Sequence, residues 1–142
     1  MAEELTSTNS LNAFSLTVLR DRVLPDILQE DHSEITYWAG KSLARTIDLH
    51  GIADIIRFFS DAGFGSLTIE SQKETEQVWI LAGEIIDMRL YENDAASFDL
   101  ETGFLAAQTQ SQINYGAEGV WKLDKNQVII TIYTEAPAVL PQ

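Results

Sequence analysis

His32 and His50 are the only imidazoles in the chain, and cysteine is absent. Without a thiol there are no disulfides, thiolate nucleophiles, cysteine-held zinc or iron–sulfur clusters, and no thioester chemistry. His32 follows Asp31 where a helix should begin, and His50 precedes Gly51 in a loop. Nothing in the spacing brings them together, so we expect two exposed loop histidines rather than a metal or haem site. Carboxylates are abundant, which raises the question of acid–base chemistry. Asp99 and Glu101 stand two apart, so on a helix they point in different directions. Glu74 and Glu76 fall in an expected hairpin loop, and Asp87 and Arg89 alternate onto one face of an expected strand, where they could pair. We read each of these as solvated surface charge. No nucleophile-elbow pattern of glycine and serine occurs. Gly63-Phe64-Gly65 comes after a helix and before a strand, the reverse of a dinucleotide fingerprint, and reads as a helix C-cap and turn. The expectation is therefore a chain with no catalytic set, no metal and no cofactor.

The elements that carry these residues follow from hydrophobic period. Leu16, Val18, Leu19, Val23 and Leu24 make a helical stripe, and Pro25 must kink or end that helix, with a short continuation through Ile27 and Leu28. Asp31 and Glu34 have the spacing of a capping box. Ile35, Trp38, Ala39, Leu43 and Ile47 then repeat at three and four. Gly51 opens a third helix with Ile52, Ile55, Ile56 and Phe59 as its stripe. Gly63 sits where a left-handed C-cap is wanted, so Phe64 should fold back on the last turn.

After Gly65 the period changes to two. Leu67 and Ile69 mark one strand, Gln77 to Ala82 a second, and Ile86, Met88 and Leu90 a third. Phe98 to Gln112 returns to helix. Val120 to Leu123 and Val128 to Tyr133 close the chain as a hairpin. The expected class is α+β: an antiparallel sheet of about five strands covered by about four helices, in the order ααα-βββ-α-ββ.

Length and charge limit what such a domain can do. The chain has 142 residues, enough for one domain with its own core. Residues 11–135 should form it, with loose tails at 1–10 and, after Pro137 and Pro141 come into play, at 136–142. The net charge of −13 excludes nucleic acid as a partner and disfavours anionic membrane surfaces. No apolar run approaches the ~20 residues of a membrane-spanning helix, and the polar N-terminus is no signal peptide, so a cytoplasmic location is expected.

Three segments taken together carry a family resemblance: Tyr37-Trp38-Ala39-Gly40-Lys41, Phe58-Phe59-Ser60-Asp61-Ala62-Gly63-Phe64-Gly65-Ser66-Leu67 and Leu100-Glu101-Thr102-Gly103-Phe104-Leu105-Ala106. From about Phe14 to Thr134 the chain resembles the YslB-like family of Gram-positive bacteria, whose function is unknown. More distantly it resembles the 4-vinyl-reductase domains and the TRAPP vesicle-tethering subunits. The resemblance implies antiparallel sheet, covering helices, an internal apolar channel and a tendency to dimerise, but no reaction. Some of those distant relatives carry metal-type or fatty-acylated cysteines, which this chain cannot. The tyrosine–serine–arginine motif of the haem-based gas sensors near this fold is also absent.

Two functional readings follow. In the first, Trp38, Phe59, Gly103, Phe104 and Ala107 converge on a narrow apolar slot. Small residues form one wall and aromatics the other, and the slot holds an apolar small molecule or lipid chain without a covalent bond. In the second, the same residues pack solid and the protein is a structural homodimer or adaptor. Surplus apolar surface on the first helix, at Leu16, Leu19 and Val23, supports a homodimer in either case. Trp79 and Trp121, on separate strands, should face the core or an oligomer surface.

Overall fold

A computed structural model describes residues 13–142; the expected N-terminal tail lies outside them. Helix α1 covers residues 13–28, with α-helical ends and a π-helical turn at Leu19–Val23 between them. The helix does not end at Pro25. Instead it widens, with the Leu24 N–H bonding to the Leu19 carbonyl five residues back. Proline has no N–H for the Asp21 carbonyl, which accepts from Asn93 Nδ2 at 3.0 Å.

A short 3-10 turn, Gln29–Asp31, leads into α2, His32–Ala44. Asp31 is its N-cap as the spacing indicates, but no side-chain cap bond forms. Helix α3 runs over Gly51–Asp61. Its end follows the expectation closely. Gly63 has φ +74°, and the Gly63 and Phe64 N–H groups bond back to the Ser60 and Phe59 carbonyls. This is the paired bonding of a Schellman cap. It turns Phe64 onto Phe59, ring centroids 5.2 Å apart.

Strands β1, Ser66–Lys73, and β2, Glu76–Ala82, form a hairpin. Helices α4, Glu84–Glu92, and α5, Asp99–Ile113, follow, and then the hairpin of β3, Ala117–Asp124, and β4, Gln127–Thr134. The class is α+β as expected. The sheet has four strands in the order β1-β2-β4-β3, every neighbour antiparallel.

The segment read as a third strand is α4. Gly83, at φ +110°, turns the chain out of β2. Ile86 and Arg89 are then the buried residues, three apart, with Asp87 exposed between them. The alternation of Ile86, Met88 and Leu90 is thus one reading of a pattern whose buried set has helical spacing. It included Arg89, which hydrophobicity alone does not mark as core.

One face of the sheet carries Leu67, Trp79, Leu81, Val128, Ile130 and Ile132 into the core. Helix α5 lies across this face and is buried at every residue from Glu101 to Thr109, and α2 packs along its outer side. The two helices approach to backbone contact. A Cβ on Gly40 would collide with the Leu100 carbonyl oxygen, and one on Gly103 with the Tyr37 carbonyl. Side chains of α5 also close the ends of its neighbours. Gln108 Nε2 donates to the Ala44 and Ile47 carbonyls at 3.0 and 2.8 Å, and Gln112 Oε1 accepts from the Gly51 N–H at 2.7 Å.

The C-terminal segment differs from the loose tail that its prolines suggested. Leu140 is buried, and its N–H and carbonyl pair with the Gln72 side chain. The Pro141 and Gln142 carbonyls accept from the Ile52 and Ala53 N–H groups, two of the donors that a helix start leaves free.

Candidate functional site

Of the five residues expected to line a slot, the fold brings Phe59 and Phe104 together and leaves Trp38 outside. Phe59 and Phe104 are fully buried, with ring centroids 5.8 Å apart. Phe58 stacks flat on Phe104 at 4.7 Å, and Phe64 closes the group edge-on. Gly103 faces the α2 backbone rather than empty space, which leaves no room on that side of α5. Ala107 is buried in the same helix. Trp38 lies apart from all of them, 65% exposed. Gly103 lets two helices touch, and Phe58, Phe59, Phe64 and Phe104 pack on one another.

Polar side chains do converge, at two places. The first is inside the fold. Arg89 places Nε and Nη2 on the two Asp21 oxygens at 2.9 and 2.7 Å, Nη1 on Glu101 at 3.1 Å, and Nη2 also on the Ser97 carbonyl at 2.7 Å. Arg20 reaches the other Glu101 oxygen at 2.8 Å. Glu101 is fully buried and Asp21 nearly so. Burial opposes the charged form of Arg89, but its two carboxylate partners outweigh that and raise its pKa. The guanidinium also lies 4.4 Å from the Phe98 ring centroid. The cluster thus joins α1 to α4 and α5.

This overturns the reading of Glu101 and Arg89 as solvated charges, and of Asp87 as Arg89's partner. The available signal was on α1. The π-turn there swings Arg20 and Asp21 inward, and two opposite charges beside a helix proline are compatible with that.

The second place is a surface groove of about 500 Å³ between α2, the start of α5 and edge strand β3. Tyr37, Asp99, Glu118 and Trp121 form its walls. Asp99 accepts from Ser33 Oγ at 2.8 Å, Ser97 Oγ at 2.5 Å and Trp121 Nε1 at 2.9 Å. Tyr37 donates its hydroxyl hydrogen to Glu118 and accepts from the Gly119 N–H at 3.0 Å. Lys41 Nζ donates to the second Glu118 oxygen at 2.6 Å.

Burial, then the Glu118 carboxylate, pushes the Tyr37 phenol well above its usual range. For Glu118, partial burial acts upward, but Lys41 and Tyr37, both donating to it, hold it below the usual carboxylate range. Gly119 allows β3 to close on α5, since a Cβ there would meet Thr102 Cγ2 at 2.8 Å. No periodicity in the sequence announces this groove. It forms only because α2 crosses α5 beside the sheet edge.

His32 starts α2, and His50, in the loop before α3, has Nε2 3.3 Å from Asp48. Among the described residues no three histidine or acidic side chains are grouped to hold a metal ion. No helix there is long and apolar enough to cross a membrane. Trp79 is a core residue, with Nε1 on Gln77 Oε1 at 3.0 Å.

Comparison with known proteins bears on the fold and the family. An uncharacterized protein of Bacillus subtilis (strain 168), YslB, is 39% identical over 124 residues, which span 86% of this chain and 84% of that one. Among solved structures, the phenol-responsive sensory domain of the transcription activator PoxR, crystallised with phenol, matches with a TM-score of 0.58. It is 11% identical, over 86% of this chain and 74% of the sensory domain, so it speaks for a shared fold alone. A family model described as a protein of unknown function, DUF2507, matches residues 13–134, and with the resemblance to YslB this establishes that the chain belongs to that family.

Proposed function

We propose that the chain is a non-enzymatic interaction module, a homodimer or adaptor that works through its surface. The observation that carries this reading is the close packing around α5. Gly40 and Gly103 are spent on backbone contact between α2 and α5, and Phe58, Phe59, Phe64 and Phe104 occupy the space beside them. The polar groups that meet are paired with one another, which supports a structural rather than a catalytic use of them.

A second reading has its own observation. The groove between α2 and β3 is roomy, aromatic and acidic, and the PoxR sensory domain of the same fold carries phenol. In that reading a small aromatic molecule binds at the groove between Tyr37 and Trp121, not in the core.

Native mass spectrometry of gently purified protein separates the two. The interaction reading expects twice the chain mass without added mass. A stoichiometric small-molecule adduct would overturn it in favour of the second.

A further inference from the structure

The sheet has two edges, and they are finished differently. At β1 the ladder is broken by a bulge between Ile69 and Ser71, and the C-terminal segment docks on the Gln72 side chain. Bulges and covering segments keep other strands from adding to an edge. At β3 the register with β4 runs unbroken from Ala117↔Thr134 to Asp124↔Gln127. The Glu135 N–H bonds to the Gly116 carbonyl and the Thr134 N–H to the Thr75 carbonyl. Odd-numbered residues of β4 therefore turn their backbone to β3, and their even-numbered partners on β3 turn theirs to β4. The odd-numbered residues of β3 are left facing outward. Two of their donors are taken, Ala117 by Gln110 Oε1 at 3.4 Å and Gly119 by the Tyr37 hydroxyl at 3.0 Å. Among the described residues nothing bonds to the outward N–H and C=O groups of Trp121 and Leu123.

We propose that this edge takes up an extended, basic segment of a partner protein as a fifth strand. The proposal rests on the adaptor form of the interaction-module reading and names the partner's chemistry. The backbone selects the conformation. Trp121 and Leu123 each offer a donor and an acceptor at the spacing of a ladder, and pairing with them supplies affinity whatever the side chains. The groove selects the charge. Glu118, Gly119, Val120 and Trp121 are consecutive, so their positions alternate between the two faces, yet all four line the groove, which therefore runs along the edge itself. Glu34, Asp99 and Glu118 are its acids, and no basic residue lines it. A side chain of the added strand beside Trp121 shares its face of the sheet, where Asp99 holds the Trp121 Nε1 at 2.9 Å. The neighbouring side chains fall on the opposite face, beside Val120, which is 56% exposed, and Lys122, which repels a cation there. The segment is thus basic at one alternate set of positions and apolar at the other. A second copy of this strand would bring the same acids and a net charge of −13 to the groove, so charge selects a different partner. Tyr37, seated on the Gly119 N–H, ends the ladder and sets its register.

The probe is an eight-residue peptide of alternating valine and lysine, capped at both ends, with a valine–glutamate peptide as its counterpart. Each is titrated into the isotope-labelled full chain and followed by nuclear magnetic resonance. The lysine peptide is expected to shift the Trp121 and Leu123 amide resonances and slow their hydrogen exchange, with the β1 amides unchanged. The glutamate peptide is expected to do neither. Leu123→Pro removes one outward donor and leaves the β4 ladder intact, which an edge strand tolerates. It should weaken the lysine peptide about tenfold. Glu34→Gln, at an exposed side chain, should weaken it by a smaller factor. The exchange measurement uses wild type, so it stands even where Leu123→Pro fails to fold. Unslowed exchange at Trp121 and Leu123, equal binding of the two peptides, or binding unchanged in a folded Leu123→Pro overturns the strand site and leaves the interaction-module reading standing. Exchange already slow at both amides without peptide, and faster on dilution, gives the edge to a second copy and overturns the basic partner. The interaction-module reading fails on a different result, the small-molecule adduct in native mass spectrometry.

Discussion

Replacing Arg89 by methionine should destabilise the domain more than any surface change. The substitution keeps most of the side-chain volume but removes four hydrogen bonds, two to Asp21, one to Glu101 and one to the Ser97 carbonyl. Glu101 keeps Arg20 at 2.8 Å, whereas Asp21, nearly fully buried, keeps no charged partner in this cluster. Removing one member of a buried ion pair leaves an uncompensated charge and costs about 3–5 kcal/mol. Against a domain stability of roughly 5–15 kcal/mol, that is a large share.

The pH dependence gives the cause. In the variant the orphaned Asp21 carboxyl, desolvated and without its charged partner, is pushed above the ordinary ~4. A carboxyl whose folded pKa is raised costs nothing below its unfolded pKa, costs progressively more as pH rises from there to the folded value, and costs a constant amount above it. The gap between wild type and Arg89→Met should therefore be widest at neutral pH and shrink toward pH ~4. Urea unfolding followed by circular dichroism, repeated across that range, measures it. Adding Asp21→Leu to Arg89→Met should recover part of the loss, because the orphaned charge goes with it. A loss under about 1 kcal/mol at pH 7 would refute the reasoning, since it would mean that the cluster is hydrated or replaceable.

Two further outcomes follow from the groove and the C-terminus. Ultraviolet titration should find one tyrosine ionising above the ordinary value of ~10, and Tyr37→Phe should remove that late step. Because the folded pKa is raised, stability from this group is whole below ~10 and falls as pH climbs beyond it, so wild type should lose stability in strong alkali faster than Tyr37→Phe. Leu140→Ala should cost about 2–3 kcal/mol in chemical unfolding, because Leu140 is a packed core residue held by Gln72 and not part of a loose tail.

Much of the backbone plan was legible from local rules. The Gly63 cap, the helix start at Gly51, the change of period after Gly65 and the closing hairpin each depend on neighbours in sequence. The misread element, Glu84–Glu92, shows where such rules stop. Its buried set includes a charged residue, Arg89, whose burial is acceptable only because Asp21 and Glu101 arrive from elsewhere in the chain. The site was less legible for the same reason. The composition around Gly103 and Phe104 is unusual in the sequence, but small residues serve a ligand and a neighbouring backbone equally well. Only the position of Tyr37 distinguishes the two. Trp38 sits on the helical stripe yet points away from α5, because Thr36, Gly40 and Ala44 take the buried side of α2.

The close packing of α2 on α5 is tested most directly by the stability of Gly103→Leu, measured by thermal and urea unfolding. A Cβ at that position already overlaps the Tyr37 carbonyl oxygen and lies 3.3 Å from the Lys41 nitrogen, so a leucine must push α2 off α5. The account predicts a loss of roughly 1–3 kcal/mol or more, the cost of overpacking a close-packed core. Unchanged stability in Gly103→Leu would mean that empty space lies beside the helix after all, and would contradict the close helix packing on which the proposed function rests.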